Sequence, residues 1–282
     1  MVVRTNMTAV RSKPETTTLV TLTVLRTERI STNFARVTLG GGDIEQFVPM
    51  GFDQWFRLFI PITDPESLGW VPSKLDTFSY LKYLTHAKTE RPVLRNYTVR
   101  AHRPDGPQGP ELDVDFVLHG SAADGTAGPA ASWAQTCAPG DVVAILDEGI
   151  GFRAEPQAEA VLLVGDETAL PAIAGILESL PRATTGRALI EIPASDDRQD
   201  VDAPDGVEVT WVIRANQADH HDTPGRAVLD AALALPAPTP GTYVWVSGEQ
   251  TLPVALRRHL VRGGMAKDDV TFSGYWKAPK RH

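Results

Sequence analysis

Apolar and polar residues alternate through the first half of the chain. Leu19-Val20-Thr21-Leu22-Thr23-Val24-Leu25 and Phe34-Ala35-Arg36-Val37-Thr38-Leu39 repeat with the period of a half-buried strand, and Gly40-Gly41-Gly42 ends the second run with turn chemistry. Gln54 to Ile60, stopped by Pro61, reads the same way, as do Val93 to Arg100, Leu112 to His119 and Asp141 to Leu146. Six short strands joined by glycine-rich and proline-rich turns, with little helix, predict an antiparallel β-barrel over residues 18–152. Residues 1–17 carry no hydrophobic period and read as a flexible tail. Between Ser67 and Arg91 the pattern is less regular, and Phe78 to Leu84 fits a short amphipathic helix.

The period then changes. Ala160-Val161-Leu162-Leu163-Val164-Gly165 is a continuous apolar run of the kind buried on both faces, and Ala169 to Leu180 follows as a helix whose first turn accommodates Pro171. Further strands read at Ala188 to Ile192, Val207 to Ile213 and Thr242 to Gly248, with helices at Ala227 to Leu235 and Thr251 to Gly263. Alternation of strand and helix predicts a parallel sheet with helices on its faces. The expected architecture is therefore a barrel followed by an α/β domain, residues 153–282, ending in an aromatic and basic tail. No internal repeat or low-complexity segment interrupts it.

Composition narrows the function classes. At 282 residues, 42% hydrophobic and 22% charged, the chain is long enough for two packed cores. A net charge of −8 argues against a nucleic-acid or anionic-membrane binder, so an anionic small ligand must be met by a local basic patch. The single cysteine, Cys137, excludes an internal disulfide framework and fits a reducing compartment. No apolar run has the length of a membrane span, and Met1 to Thr18 lacks the apolar block of a signal peptide. The expectation is a cytoplasmic monomer. His220-His221 has no metal-ligand spacing, and nothing resembles a Ser-His-Asp set, so catalytic and metal-ligating side chains are both read as none. Any redox chemistry must come from a cofactor.

The stretch with the most chemistry is Arg95-Asn96-Tyr97-Thr98-Val99-Arg100. Arginine forks onto a diphosphate, tyrosine covers a ring face, and threonine reaches a polar ring edge, which together suit a flavin dinucleotide. An ordinary half-buried strand reads the same way. Gly125-Thr126-Ala127-Gly128-Pro129-Ala130-Ala131 opens a helix whose first amides suit a phosphate or serve as a routine helix start. Upstream, His119-Gly120 lies at a strand end. Gly165-Asp166-Glu167-Thr168 and Ser247-Gly248-Glu249 sit where open α/β sheets bind nucleotides, although G-x-G-x-x-G is missing. The closing Ser273-Gly274-Tyr275-Trp276-Lys277 needs something to pack against: a flavin ring, a substrate mouth or a domain seam.

Taken in order, Arg95-x-Tyr97-Thr98-Val99-Arg100, Asp113 to Gly120, Gly128-Pro129-Ala130 with Trp133-Ala134, Gly165 to Ile173, Ser247-Gly248-Glu249 and Ser273 to Lys277 resemble the siderophore-interacting protein family. These are FAD-containing ferric-siderophore reductases related to ferredoxin reductases. The resemblance spans Leu19 to Lys277 and implies a flavin-binding barrel with an NAD(P)H-binding α/β domain. Carried over by position, Arg95, Tyr97, Thr98 and Val99 hold the flavin, with His119 and Gly120 beside it. Gly128, Pro129, Ala130 and Ala131 take the diphosphate; Asp166, Glu167 and Thr168 line the nucleotide side; Trp276 covers the ring. This chain departs from the family pattern at Ala131, Ser132 and Trp55, which leaves Arg57, Lys277 and Lys280 as the cations for an anionic ferric-siderophore. NADH, NADPH or a ferredoxin would supply the electrons. The rival readings are a flavin reductase or oxidase recruited to a biosynthetic pathway, and a siderophore-binding protein without electron transfer.

Overall fold

The computed structural model describes residues 5–7, 11–15, 18–62, 64–72, 91–153, 158–216 and 223–279; the helix read at Phe78 to Leu84 and the substrate cation Lys280 lie outside them. The chain forms two compact units, a barrel unit of Lys13–Met50 and Gln54–Ile150, and an α/β unit of Met1–Ser12, Gly51–Asp53 and Gly151–His282.

In the barrel unit, strands β1 (Leu19–Arg29), β2 (Phe34–Gly40), β3 (Trp55–Ile60), β4 (Val93–Thr98), β5 (Ala101–Gly106), β6 (Gly109–Val117) and β7 (Val142–Gly149) pair antiparallel in the order β4-β3-β7-β1-β2-β6-β5. A helix, α1 (Pro129–Thr136), joins β6 to β7. Period-two alternation places Val20, Leu22 and Val24 of β1 and Leu112, Val114 and Phe116 of β6 in one core. The intervening acids of β6 point the other way and are covered by arginines. Arg26 forks onto Glu111 at 2.7 and 2.8 Å, Arg36 forks onto Asp115 at 2.7 and 2.9 Å, and Arg103 reaches both Glu111 and Asp113. The hydrogen bond from Arg26 holds the Glu111 carboxyl below its ordinary range.

Two residues, Val99 and Arg100, join the strands at the two ends of the sheet order. After β4, the Val99 amide donates to Gln54 O (2.8 Å) and the Arg100 amide to Asp113 O (2.9 Å), so the chain leaves β3 and continues along β6 as β5. The strand β5 corrects the six-strand reading to seven. Ala101-His102-Arg103-Pro104-Asp105-Gly106 has no apolar alternation and contains proline, which an edge position tolerates, and Arg103 secures it through its ion pairs.

In the α/β unit, β8 (Ala160–Gly165), β9 (Thr185–Ile192), β10 (Gly206–Ile213), β11 (Thr242–Glu249) and β12 (Val270–Trp276) form a parallel sheet in the order β10-β9-β8-β11-β12. Helices α2 (Leu170–Ser179), α3 (Arg226–Leu233) and α4 (Thr251–Arg262) cover it. Leu162 and Val164 face α3 and α4, sharing a core with Val228, Leu229, Leu252 and Leu256. On the other face, a Cβ at Gly165 would lie 2.5 Å from Ala169 and 2.9 Å from Ile173, so glycine sets the close approach of α2. The aromatic segment read as a tail is in fact the edge strand β12. The N-terminal segment is tied to it: the Asn6 amide donates to Phe272 O, while the Asn6 side chain donates to Val270 O and accepts from the Phe272 amide at 2.8 Å each. Asn6 thus caps an exposed sheet edge where a tail was expected.

Residues Gly51–Asp53 come from the sequence between β2 and β3 yet pack in the α/β unit. Gly51 and Phe52 both take positive φ, +71° and +50°, the latter uncommon for a bulky residue. Their neighbours hold that turn. The Phe52 amide donates to Ser179 Oγ (2.7 Å), and the Phe52 ring stacks on Phe152 at 5.2 Å. The fully buried Asp53 carboxylate accepts from the Gly151 amide (2.9 Å), the Phe152 amide (2.7 Å) and Trp245 Nε1 (3.1 Å).

Candidate functional site

On the barrel unit the chemistry gathers around β4 and the start of α1. Along β4, Arg95 and Asn96 are exposed, Tyr97 is half-buried and Thr98 is buried. Tyr97 packs against Phe116 with ring centroids 4.3 Å apart, and Phe116 meets Trp133 of α1 at 5.6 Å. That aromatic run places α1 against β4. Burial pushes the Tyr97 phenol up, so it stays neutral. Arg95 is exposed, and its guanidinium donates to Leu94 O at 2.8 Å.

The loop into α1 is built to hold its first turn. Gly120 takes φ +73°, and a Cβ there would fall 2.7 Å from Thr126 and 2.8 Å from the Ala127 amide. Ser121 O accepts from the Thr126 and Ala127 amides at 3.2 Å each, and Ser121 N donates to Thr126 Oγ1 at 2.9 Å. Gly128 is the N-cap with no side-chain acceptor, Pro129 follows it, and the space in front of Gly128 is open. The amides of Ala130 and Ala131, in the first turn, have no intrahelical acceptor. Ser132 spends its hydroxyl on Ala127 O (3.2 Å), which accounts for that departure from the family pattern as a loop tie. An exposed guanidinium, an aromatic ring and an uncapped helix start on one unit fit a dinucleotide with a diphosphate.

The α/β unit offers the C-terminal edge of its parallel sheet, where strand order reverses between β8 and β11. Thr168, Gln250 and Trp276 are partly exposed there, and Lys277 is exposed. Beneath them lie buried charges. Arg214 donates to Glu167 at 2.8 and 2.9 Å and to Glu191 at 2.7 Å, while Glu191 also accepts from the Gly225 and Val228 amides at the start of α3. Asp166 is fully buried, and burial with the neighbouring Glu167 charge pushes its carboxyl up to about 7.

Two family models cover nearly the whole chain: one described as the siderophore-interacting FAD-binding domain matches residues 23–150, and one described as siderophore-interacting protein matches residues 158–279. An uncharacterized protein of Mycobacterium tuberculosis is 36% identical over 261 residues, covering 90% of this chain and 88% of that one. The chain belongs to the siderophore-interacting protein family. A protein of Escherichia coli named NADPH-dependent ferric-chelate reductase is 29% identical over 91% of this chain and 92% of its own length. Among solved structures, a siderophore utilization protein from T. fusca is similar with a TM-score of 0.70 and 28% identity, covering 99% of this chain and 97% of that one. The fold is shared more widely with the ferredoxin reductase of a carbazole dioxygenase, at a TM-score of 0.63 and 16% identity over 93% of this chain and 71% of that one.

The barrel of this siderophore-interacting protein is thus its FAD-binding domain. The structure brings Arg95, Tyr97, His119, Gly120 and Gly128 to Ala131 onto that one unit, with Arg95, His119 and Gly120 exposed. Thr98 is buried and Val99 lies in the apolar core. Asp166 and Glu167 are fully buried, and their oxygens are committed to Thr168, Glu249 and Arg214. Arg57 is bound to Glu148 at 2.7 Å, so its charge is compensated and Lys277 is the more available cation. Asp53, Glu191 and Arg214 escaped the sequence reading. Lone charged residues read as surface, and only the fold brings their partners together.

Proposed function

We propose that this protein is an NAD(P)H-dependent flavoprotein reductase that reduces ferric iron held by a siderophore. The exposed Arg95 on β4 and the uncapped start of α1, a helix that packs against β4 in the same unit, carry this reading, because together they suit the diphosphate of FAD. Bound FAD would accept an electron pair from the nicotinamide and pass electrons on singly. Ferric iron is hard and tightly held by siderophore oxygens, and ferrous iron suits those ligands less well, so reduction loosens the metal. The chain's own residues set the approach. Arg95 and the amides of Ala130 and Ala131 anchor the diphosphate, Tyr97 offers a neutral ring, and Lys277 presents a positive charge for an anionic chelate. The likeness to a ferric-chelate reductase supports the substrate class, and the single cysteine supports a cytoplasmic setting.

Anaerobic absorbance tests the proposal. The purified protein is expected to be yellow, to bleach on addition of NADH or NADPH, and to regain colour when a ferric-siderophore is added. Protein that stays colourless after incubation with FAD, or colour that no nicotinamide bleaches, would sink it. Lys277→Glu is expected to raise the half-saturating concentration of an anionic ferric-siderophore about tenfold, with flavin content unchanged. Equal kinetics with an uncharged chelate would tie that effect to charge.

A further inference from the structure

One buried side chain stitches together the edge of the parallel sheet where strand order reverses. Asp166 Oδ1 accepts from the Thr168 amide (2.9 Å) and hydroxyl (2.5 Å), while Oδ2 accepts from the Glu249 amide (2.6 Å) and from the indole Nε1 of Trp276 (3.4 Å). The carboxylate therefore ties the loop after β8, the end of β11 and the end of β12. Gly248 makes room for it: at φ +141° it has no side chain, and a Cβ there would lie 2.6 Å from the carboxylate.

The backbone around Trp276 is held as firmly as its ring. The Gln250 amide donates to Trp276 O (2.9 Å), and Glu249 accepts the Ala278 amide (3.2 Å) on one oxygen and the Thr251 amide (2.6 Å) on the other. Yet Trp276 remains partly exposed. A large aromatic fixed by ring and backbone but left half-open to solvent is an arrangement for contacting a flat ligand, since immobilisation adds affinity only when something binds.

We propose that Asp166 is a positioning residue of the reductase, holding the Trp276 indole as one wall of the nicotinamide-nucleotide site at the switch point between β8 and β11. The inference rests on the reductase reading above. Asp166 has no accessible surface, so it acts through Trp276 and Glu249 and does not touch the nucleotide.

Indole N–H signals of protein labelled with 15N-tryptophan test this without turnover. The chain has six tryptophans, and Trp276→Phe assigns the signal concerned. In the flavin-loaded wild type the Trp276 N–H should exchange slowly with solvent and shift on addition of NADPH or NADH. In Asp166→Ala that protection should be lost while the Trp245 signal, held by Asp53, stays in place; half-saturating NAD(P)H should rise about tenfold. Asp166→Asn, which keeps an acceptor oxygen, should restore much of both, and Asp166→Ala with Trp276→Phe should be no worse than either alone. Fast exchange in the wild type, or a Trp276 signal that ignores both nucleotide and Asp166→Ala, would overturn the proposal. If Asp166→Ala also loses the Trp245 signal, the wild-type exchange rate and Asp166→Asn decide it. A wild type whose indole behaves as stated but which oxidises no NAD(P)H would defeat the reductase reading alone.

Discussion

Arg95→Glu is expected to strip the protein of flavin while leaving it folded. The side chain is exposed on β4, and among the described residues it donates to the carbonyl of the preceding residue, so replacing it disturbs little of the described packing. Changes at such positions usually move stability by less than about 0.5 kcal/mol. Binding is a different matter. A guanidinium hydrogen-bonded to a phosphate contributes about 1.5–3 kcal/mol, and glutamate adds repulsion where attraction stood. The sum corresponds to a weakening of FAD binding on the order of 100-fold. Titration of flavin-free protein with FAD, followed by flavin fluorescence, measures it, and the urea midpoint checks the fold. Arg95→Lys should fall between, because lysine keeps the charge but loses the planar fork. Undiminished affinity in Arg95→Glu would move the diphosphate away from β4 altogether.

The contrast between Arg95 and Asp166 shows what the sequence made legible. Strand periodicity separates alternate residues, so the alternation along β1 placed one face inward and the other outward without any tertiary information. A continuous apolar run likewise marked β8 as buried on both faces. The strand β5 escaped because proline and charged residues hide its period, and its pairing depends on Arg103 meeting acids on β6. Asp166 and Glu167 are placed on the nucleotide side by the family resemblance, and nothing local in the sequence shows that both are buried. Their true partners are remote: Arg214 lies 47 residues beyond Glu167, and Glu249 lies 83 beyond Asp166. Spacing alone does not reveal that an arginine from the end of β10 neutralises an acid at the end of β8. At α1 the local signal sufficed, since glycine followed by proline and small residues defines a helix start wherever the helix packs.

The largest effect on stability should come from Asp53, and its sign depends on pH. The carboxyl has no access to water, and burial pushes it up to about 6 from an ordinary value of 3.8, against the opposing pull of the Phe152 and Gly151 amides and Trp245. Its folded form therefore binds a proton more tightly than its unfolded form. The stabilisation it contributes is complete below pH 3.8 and is lost as pH rises through about 6, some 3 kcal/mol for a shift of roughly two units. Asp166 acts with the same sign up to about pH 7, whereas Glu111 and Asp113, held below their ordinary values, act with the opposite sign at more acid pH. Asp53→Asn keeps an acceptor for the two amides but turns an N–H toward the Trp245 indole N–H. It should be less stable than the wild type near pH 5 by about 1 kcal/mol, and should close that gap or reverse it near pH 8. Asp53→Ala leaves three buried donors without an acceptor and should cost about 4 kcal/mol near pH 5, where the wild type bears little charge at this site. Urea midpoints of the three proteins at both pH values distinguish these outcomes. A wild-type minus Asp53→Asn difference that does not change with pH would mean that Asp53 is ionised throughout, and that the donors around it outweigh its burial.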